Sequence, residues 1–132
     1  MESREDPTAI VVVPATERVI PAAGQTPGMR REEAFVRADR WIGYVTAEPG
    51  PPGGWHHHGA YETYFYVLAG TLRLEFGPGG RRHVEARPGD FVFVPPQTVH
   101  RETTISSAAG AIVLVRVGRG PAVVNVDAPD PA

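Results

Sequence analysis

Cysteine is absent from this 132-residue chain. Disulfides, thiolate nucleophiles and sulfur-ligated zinc or iron–sulfur centres are therefore excluded, and any bound metal must be held by histidine and carboxylate. Lysine is absent too, since all 13 basic residues are arginine. That removes Schiff-base catalysis and the phosphate-binding P-loop. There is no basic excess either: the formal charge is −2 and the pI near 6.2, which argues against a nucleic-acid partner. Long apolar runs are also missing. Ile10 to Val13 and Ile112 to Val115 have four residues each, whereas a membrane helix needs about 20 and a signal-peptide core about 7–15. The start, Met1 to Asp6, is acidic rather than basic. The expectation is a cytoplasmic protein with no membrane partner.

What the chain does contain is turn chemistry. It has 15 glycines and 14 prolines, clustered at Pro21–Gly24, Pro49–Gly54, Gly77–Gly80, Pro88–Asp90 and Gly118–Pro121. In such clusters glycine supplies positive φ and proline fixes φ near −65°. Between them lie strand-sized runs at 10–13, 18–20, 41–47, 63–68, 71–76, 91–94, 111–117 and 122–126. Many short strands with frequent turns predict an all-β sandwich or barrel. Thr71 to Phe76 alternates polar and apolar, placing Leu72, Leu74 and Phe76 on the core face. The following Gly77–Gly80 turn predicts a hairpin into Arg81 to Arg87. Phe91 to Val94 is apolar on both faces, as expected of a strand buried between sheets or beneath a neighbouring subunit. Arg30 to Trp41 spaces Phe35, Ala38 and Trp41 only loosely like a helical face, so a helix is not favoured there. The ends, residues 1–9 and 127–132, read as frayed.

Histidine carries the chemistry. Three of the five are consecutive, His56, His57 and His58, while His83 and His100 stand alone. The period of two along a strand puts His56 and His58 on one face and His57 on the other. A third ligand is required, and His100, after the Pro95–Val99 turn, can be delivered from a neighbouring strand. His57 is expected to face outward or to lie behind the ligands. His83, beside Arg81 and Arg82, is expected at the surface. A triple-histidine run in isolation also reads as a solvated tract. Arg101 and Glu102 read as rim charges, and the aromatic residues as core or interface.

The spacing around these histidines resembles the cupin superfamily. Its first motif, G-x5-H-x-H-x3,4-E-x6-G, is matched by Gly50, His56, His58 and Gly70. Its second, G-x5-P-x-G-x2-H-x3-N, is matched by Gly89, Pro95 and His100. The resemblance covers roughly residues 41–117, with a short insert at 71–88 typical of small microbial members. It implies a double-stranded β-helix, or jelly-roll barrel, with a divalent transition metal inside: Zn, Fe, Ni, Mn or Cu. Three positions depart from the pattern. Counting back from Gly70 puts the family's carboxylate at Thr63. Counting forward from His58 with the shorter spacer reaches Glu62, which can ligate only if a β-bulge shifts the alternation. Otherwise His56, His58 and His100 form a three-histidine set, still adequate for a metal. Gln97 replaces the motif glycine and must avoid or tolerate positive φ. Thr104 replaces the motif asparagine.

The motif register aims Thr63, Phe65 and Val67 into the barrel, and Tyr64 joins them as a pocket candidate. Residues 1–40 are then an arm packing on the barrel or a partner, 41–126 the barrel, and 127–132 a tail. The strand-like segments at 10–13 and 122–126 lie outside the core and suit pairing with a sheet edge, which predicts a homodimer. The function implied is a metal-binding protein acting on a small organic metabolite, with dioxygenase chemistry favoured over isomerase or decarboxylase chemistry. The candidate bases are few: Glu62 if not a ligand, Glu102 and Tyr64. The alternatives are a non-catalytic binding or sensing protein with a structural metal, and a metal-free interaction barrel.

Overall fold

The computed structural model describes residues 6–131. Ten strands form two five-stranded sheets packed face to face. They are β1 (Arg30–Arg37), β2 (Arg40–Ala47), β3 (His56–His57), β4 (Glu62–Ala69), β5 (Leu72–Phe76), β6 (Arg82–Ala86), β7 (Phe91–Val94), β8 (His100–Thr104), β9 (Gly110–Val117) and β10 (Val124–Asn125). The first sheet runs in the order β1-β2-β9-β4-β7 and the second β10-β3-β8-β5-β6. Every strand pair is antiparallel. The only helical turns among the described residues are two 3-10 turns, Ala15–Glu17 and Pro78–Gly80. This is the all-β architecture that the strand and turn pattern implies, in the double-stranded β-helix form that the cupin resemblance implies.

The sheets meet over Trp41, Val45, Phe65, Val67, Leu72, Leu74, Ala86, Val94, Ile112 and Leu114, with Met29 and Val92 packed alongside. Leu72 and Leu74 are buried as their alternation requires, and the predicted hairpin forms with Leu74 opposite Val84. Close packing requires glycine at position 43 of this layer: a Cβ there would run into the Trp41 ring and the Glu32 carbonyl.

Residues 30–37 form strand β1, in which the register slips between Glu33 and Phe35. That bulge leaves Ala34 out of the pairing, breaks the two-residue period, and explains why the segment shows no clean strand pattern in sequence. The run at 18–20 contributes a single bridge, Val19 to Glu33, and 10–13 forms no strand, with Ile10 96% exposed. The run at 122–126 narrows to β10, which pairs with β3 of its own barrel. Burial of Phe91 to Val94 between the sheets is corrected: β7 is an edge strand paired only with β4, and Phe91 is 82% exposed. Of the ends read as frayed, residues 1–5 and 132 lie outside the described residues.

Candidate metal centre

His56 lies on β3, directly opposite His100 on β8, and His58 follows one residue beyond β3. All three are buried, and one ring nitrogen from each lies within 4.8 Å of the others. The ring centroids are 4.3 Å apart for His56 and His100, 5.1 Å for His56 and His58, and 5.2 Å for His58 and His100. The loops of the two motifs are tied where Gln97 N–H donates to the Gly59 carbonyl at 2.8 Å. Gly59 sits at φ +56°, and a Cβ there would meet the Pro121 carbonyl at 2.5 Å. Gln97, in place of the motif glycine, takes φ +60°, so this side chain tolerates the left-handed conformation. Thr104, in place of the motif asparagine, donates to the Ala47 carbonyl.

Each histidine has its Nδ1 against a backbone carbonyl: His56 with Gly54 and His58 with Ala122, both at 2.9 Å, and His100 with Thr98 at 2.8 Å. A carbonyl only accepts, so Nδ1 must carry the proton. All three rings are thereby fixed in the tautomer whose Nε2 lone pair is free. Nε2 of His100 has no hydrogen-bond partner despite its burial. His57 turns away, and its Nδ1 accepts from Gly59 N–H. His83 is exposed.

The carboxylate nearest these nitrogens is Glu102. Its Oε1 lies 3.5 Å from His56 Nε2 and 3.6 Å from His100 Nε2, and this buried oxygen accepts no hydrogen bond. The expectation that Glu102 is a rim charge is corrected. It stands two residues beyond His100 on β8, whose residues alternate regularly between inside and outside, so both side chains enter the barrel.

Glu62 is not brought to the cluster. Its side chain is exposed and accepts the Tyr64 hydroxyl at 2.6 Å. The irregularity of β4 falls between Val67 and Ala69, beyond Glu62, so residues 62–67 alternate without interruption. Thr63, Phe65 and Val67 consequently point inward and are buried, as the register requires. Tyr64 points outward and stacks on Phe93 at 5.0 Å, so it lines no part of the interior. Thr63 Oγ1 is buried and unpartnered.

Two arginines complete the interior. Arg31, from β1, places Nη2 3.3 Å from His56 Nε2, and Arg116, from β9, donates to the Ala122 carbonyl and lies over the Trp41 ring. The electrostatics follow from burial. His56 is pushed down to about 4, chiefly by burial, with Glu102 opposing. Burial and the neighbouring histidines also push His58 down. Burial disfavours the ionised Glu102, but His100, His56 and Arg31 outweigh it and hold the carboxyl below its ordinary value. Arg116 is lowered to about 9 by burial and by Arg31.

Beside His100 an apolar cavity of about 160 Å³ opens between Leu74, Phe76, Val84, Phe93 and Pro95. It is large enough for a small organic molecule and carries no carboxylate in its lining.

A family model described as "Cupin domain" matches residues 43–116. Among solved structures, a conserved protein with a double-stranded β-helix domain from Klebsiella pneumoniae superposes with a TM-score of 0.67 at 21% identity, covering 96% of this chain and 99% of that one. The polyketide cyclase RemF from Streptomyces resistomycificus gives 0.72 at 21% identity, covering 93% and 90%. The Bacillus subtilis oxalate decarboxylase, described with Mn(II) centres, gives 0.68 at 21% identity, covering 94% of this chain and 35% of that longer one. No curated protein gives a significant match.

Proposed function

The chain belongs to the cupin family, and from that footing we propose that it is a metal-dependent enzyme acting on a small organic metabolite held against His100. The observation that carries this reading is the fixed tautomer of His56, His58 and His100, with three Nε2 lone pairs converging on one point beside the unpartnered Glu102 oxygen. Buried polar groups without partners are unfavourable. A divalent transition ion would satisfy His100 Nε2 and Glu102 Oε1 together and would take the His56 lone pair in place of Arg31 Nη2, with Zn, Fe, Ni, Mn or Cu suited to such a nitrogen and oxygen set. The ligands are then His56, His58, His100 and Glu102. When bound, the ion supplies Lewis-acid polarisation of a substrate oxygen or, as a redox metal, the oxygen-activating chemistry of a dioxygenase.

The chain's own residues do the rest. The Gly54, Ala122 and Thr98 carbonyls hold the rings in place. Leu74, Phe76 and Phe93 bind the apolar body of the substrate and keep water from it. The lack of any ionisable group in that cavity besides the ligand His100 suits chemistry centred on the metal, and hence the dioxygenase reading. The same lack favours a second reading, a non-catalytic binding or sensing protein with a structural ion. In either case we place two copies in the working protein, with the extended 10–13 segment or the exposed edge β7 contributing to the contact. A monomer by light scattering at micromolar concentration would remove that part.

The test is metal analysis of untagged protein, followed by oxygen uptake across a panel of aromatic and oxygenated metabolites. His56→Ala and His100→Ala are expected to abolish stoichiometric metal, and Glu102→Gln to weaken it by at least about tenfold. Unchanged metal content in either histidine variant overturns the site. Tightly held zinc without turnover overturns the dioxygenase in favour of the binder.

A further inference from the structure

A second cavity, of about 180 Å³, is bordered by none of the histidines and is lined by Arg31, Arg116, Trp41 and Glu33, with Ala23 at its exposed rim. Its two guanidinium groups are unusual. Arg31 and Arg116 are 1% and 2% exposed, yet neither has a carboxylate oxygen within 4 Å among the described residues. Each Nε–H is buried without an acceptor. The other donors are directed to neutral groups: Arg31 Nη1 to Gly24 O and Thr26 Oγ1, Arg31 Nη2 to His56 Nε2 and Met29 Sδ, and Arg116 Nη1 to Ala122 O. Glu33 forms no ion pair with them: its Oε2 accepts the Trp41 indole N–H at 2.6 Å, and its charge acts on Arg116 only from a distance.

A buried, unpaired guanidinium is strongly unfavourable, and two lining one cavity repel each other as well. Glu102 balances one positive charge of the pair. The other has only the half-buried Glu33, beyond ion-pair distance, as counter-charge, and a cation at the histidines would increase the excess.

We infer that this cavity binds a small organic carboxylate, whose two oxygens accept from the Arg31 and Arg116 forks. The planar guanidinium matches a carboxylate in a two-point, charge-assisted arrangement. The volume is right for a molecule of a few carbon atoms, with the Trp41 edge as its apolar contact. The site is separate from the apolar cavity at His100, and its occupancy does not require a metal.

The experiment is calorimetric titration of malonate, benzoate and inorganic phosphate into the full chain, stripped of metal and of the stripping agent. Saturable binding of at least one carboxylate, tighter than phosphate, is expected. Arg116→Gln should weaken it by about tenfold or more. Ala23→Phe, which fills the rim without disturbing a buried charge, should do the same while near-UV circular dichroism stays native. His100→Ala should leave carboxylate binding unchanged, so that failure of the metal site and failure of this one are told apart. No saturable carboxylate binding at millimolar concentration, equal binding in the wild type and Ala23→Phe, or tighter binding of phosphate would each overturn the assignment.

Discussion

The two halves of the barrel interior are built on opposite principles. Toward β5, β7 and the middle of β4, the sheets close over aliphatic and aromatic side chains such as Phe65, Val67, Leu74 and Leu114. Toward β1, β3 and β8, the same two sheets enclose Arg31, His56, His58, His100, Glu102 and Arg116. The apolar half stabilises the fold by removing hydrocarbon from water. The ionisable half works against it, because charges and lone pairs are held in a poorly solvated space with few partners. A barrel of this size would be more stable with leucine at those positions. The second half is therefore where function is to be sought, and the first is what makes it tolerable.

Three changes bear on that contrast. The largest effect belongs to the apolar half: Leu114→Ala should destabilise the protein by about 2–5 kcal/mol, read as a lower urea midpoint at every pH tested. Acidification should act on the ionisable half instead. In metal-free protein, burial holds His56 neutral down to about 4, against 6.5 in the unfolded chain, and His58 is shifted in the same direction. Between those values the unfolded state binds more protons, so stability rises with pH and is lost as pH falls from about 6.5 toward 4. Each histidine contributes up to about 1.4 kcal/mol per pH unit in that window. The urea midpoint of the metal-free protein should drop accordingly between pH 7.5 and pH 5, and a flat profile would show that the histidines are not held neutral. The smallest effect is expected at Glu62→Gln. This exposed side chain belongs to neither half, so stability should move by no more than about 0.5 kcal/mol and metal content should not change.

The apolar half was the more legible in sequence, for a physical reason. Leu72 and Leu74 alternate with Arg73 and Glu75, and a period of two is a direct image of a strand with one buried face. His56, His58 and His100 were found by their spacing to Gly50 and Gly89, because tight turns fix where the following strands begin. Glu102 is legible by the same rule, since His100-x-Glu102 obeys the same alternation, although its charge argues for the surface. Arg116 follows Ile112 and Leu114 at the same spacing and was hidden for the same reason. Arg31 left no comparable trace, since the bulge at Ala34 scrambles the period of β1. Glu62 and Thr63 differ by one position, and only the location of the β4 irregularity beyond Val67 decides which of them faces inward. The exposure of Phe91 depends on β7 being the last strand of its sheet, a matter of topology that no local pattern carries.

The carbonyl of Ala122 accepts from the His58 ring, 64 residues earlier in the chain, and also from Arg116. As the chain leaves the ribosome, β1 to β9 can assemble before that carbonyl arrives. Until it does, the imidazole of His58 is free to turn and the guanidinium has lost its anchor. A nascent chain stopped short of this residue would thus lack β10 and enclose an unfinished cage, and ligand chemistry would first become available once Ala122 and β10 have joined.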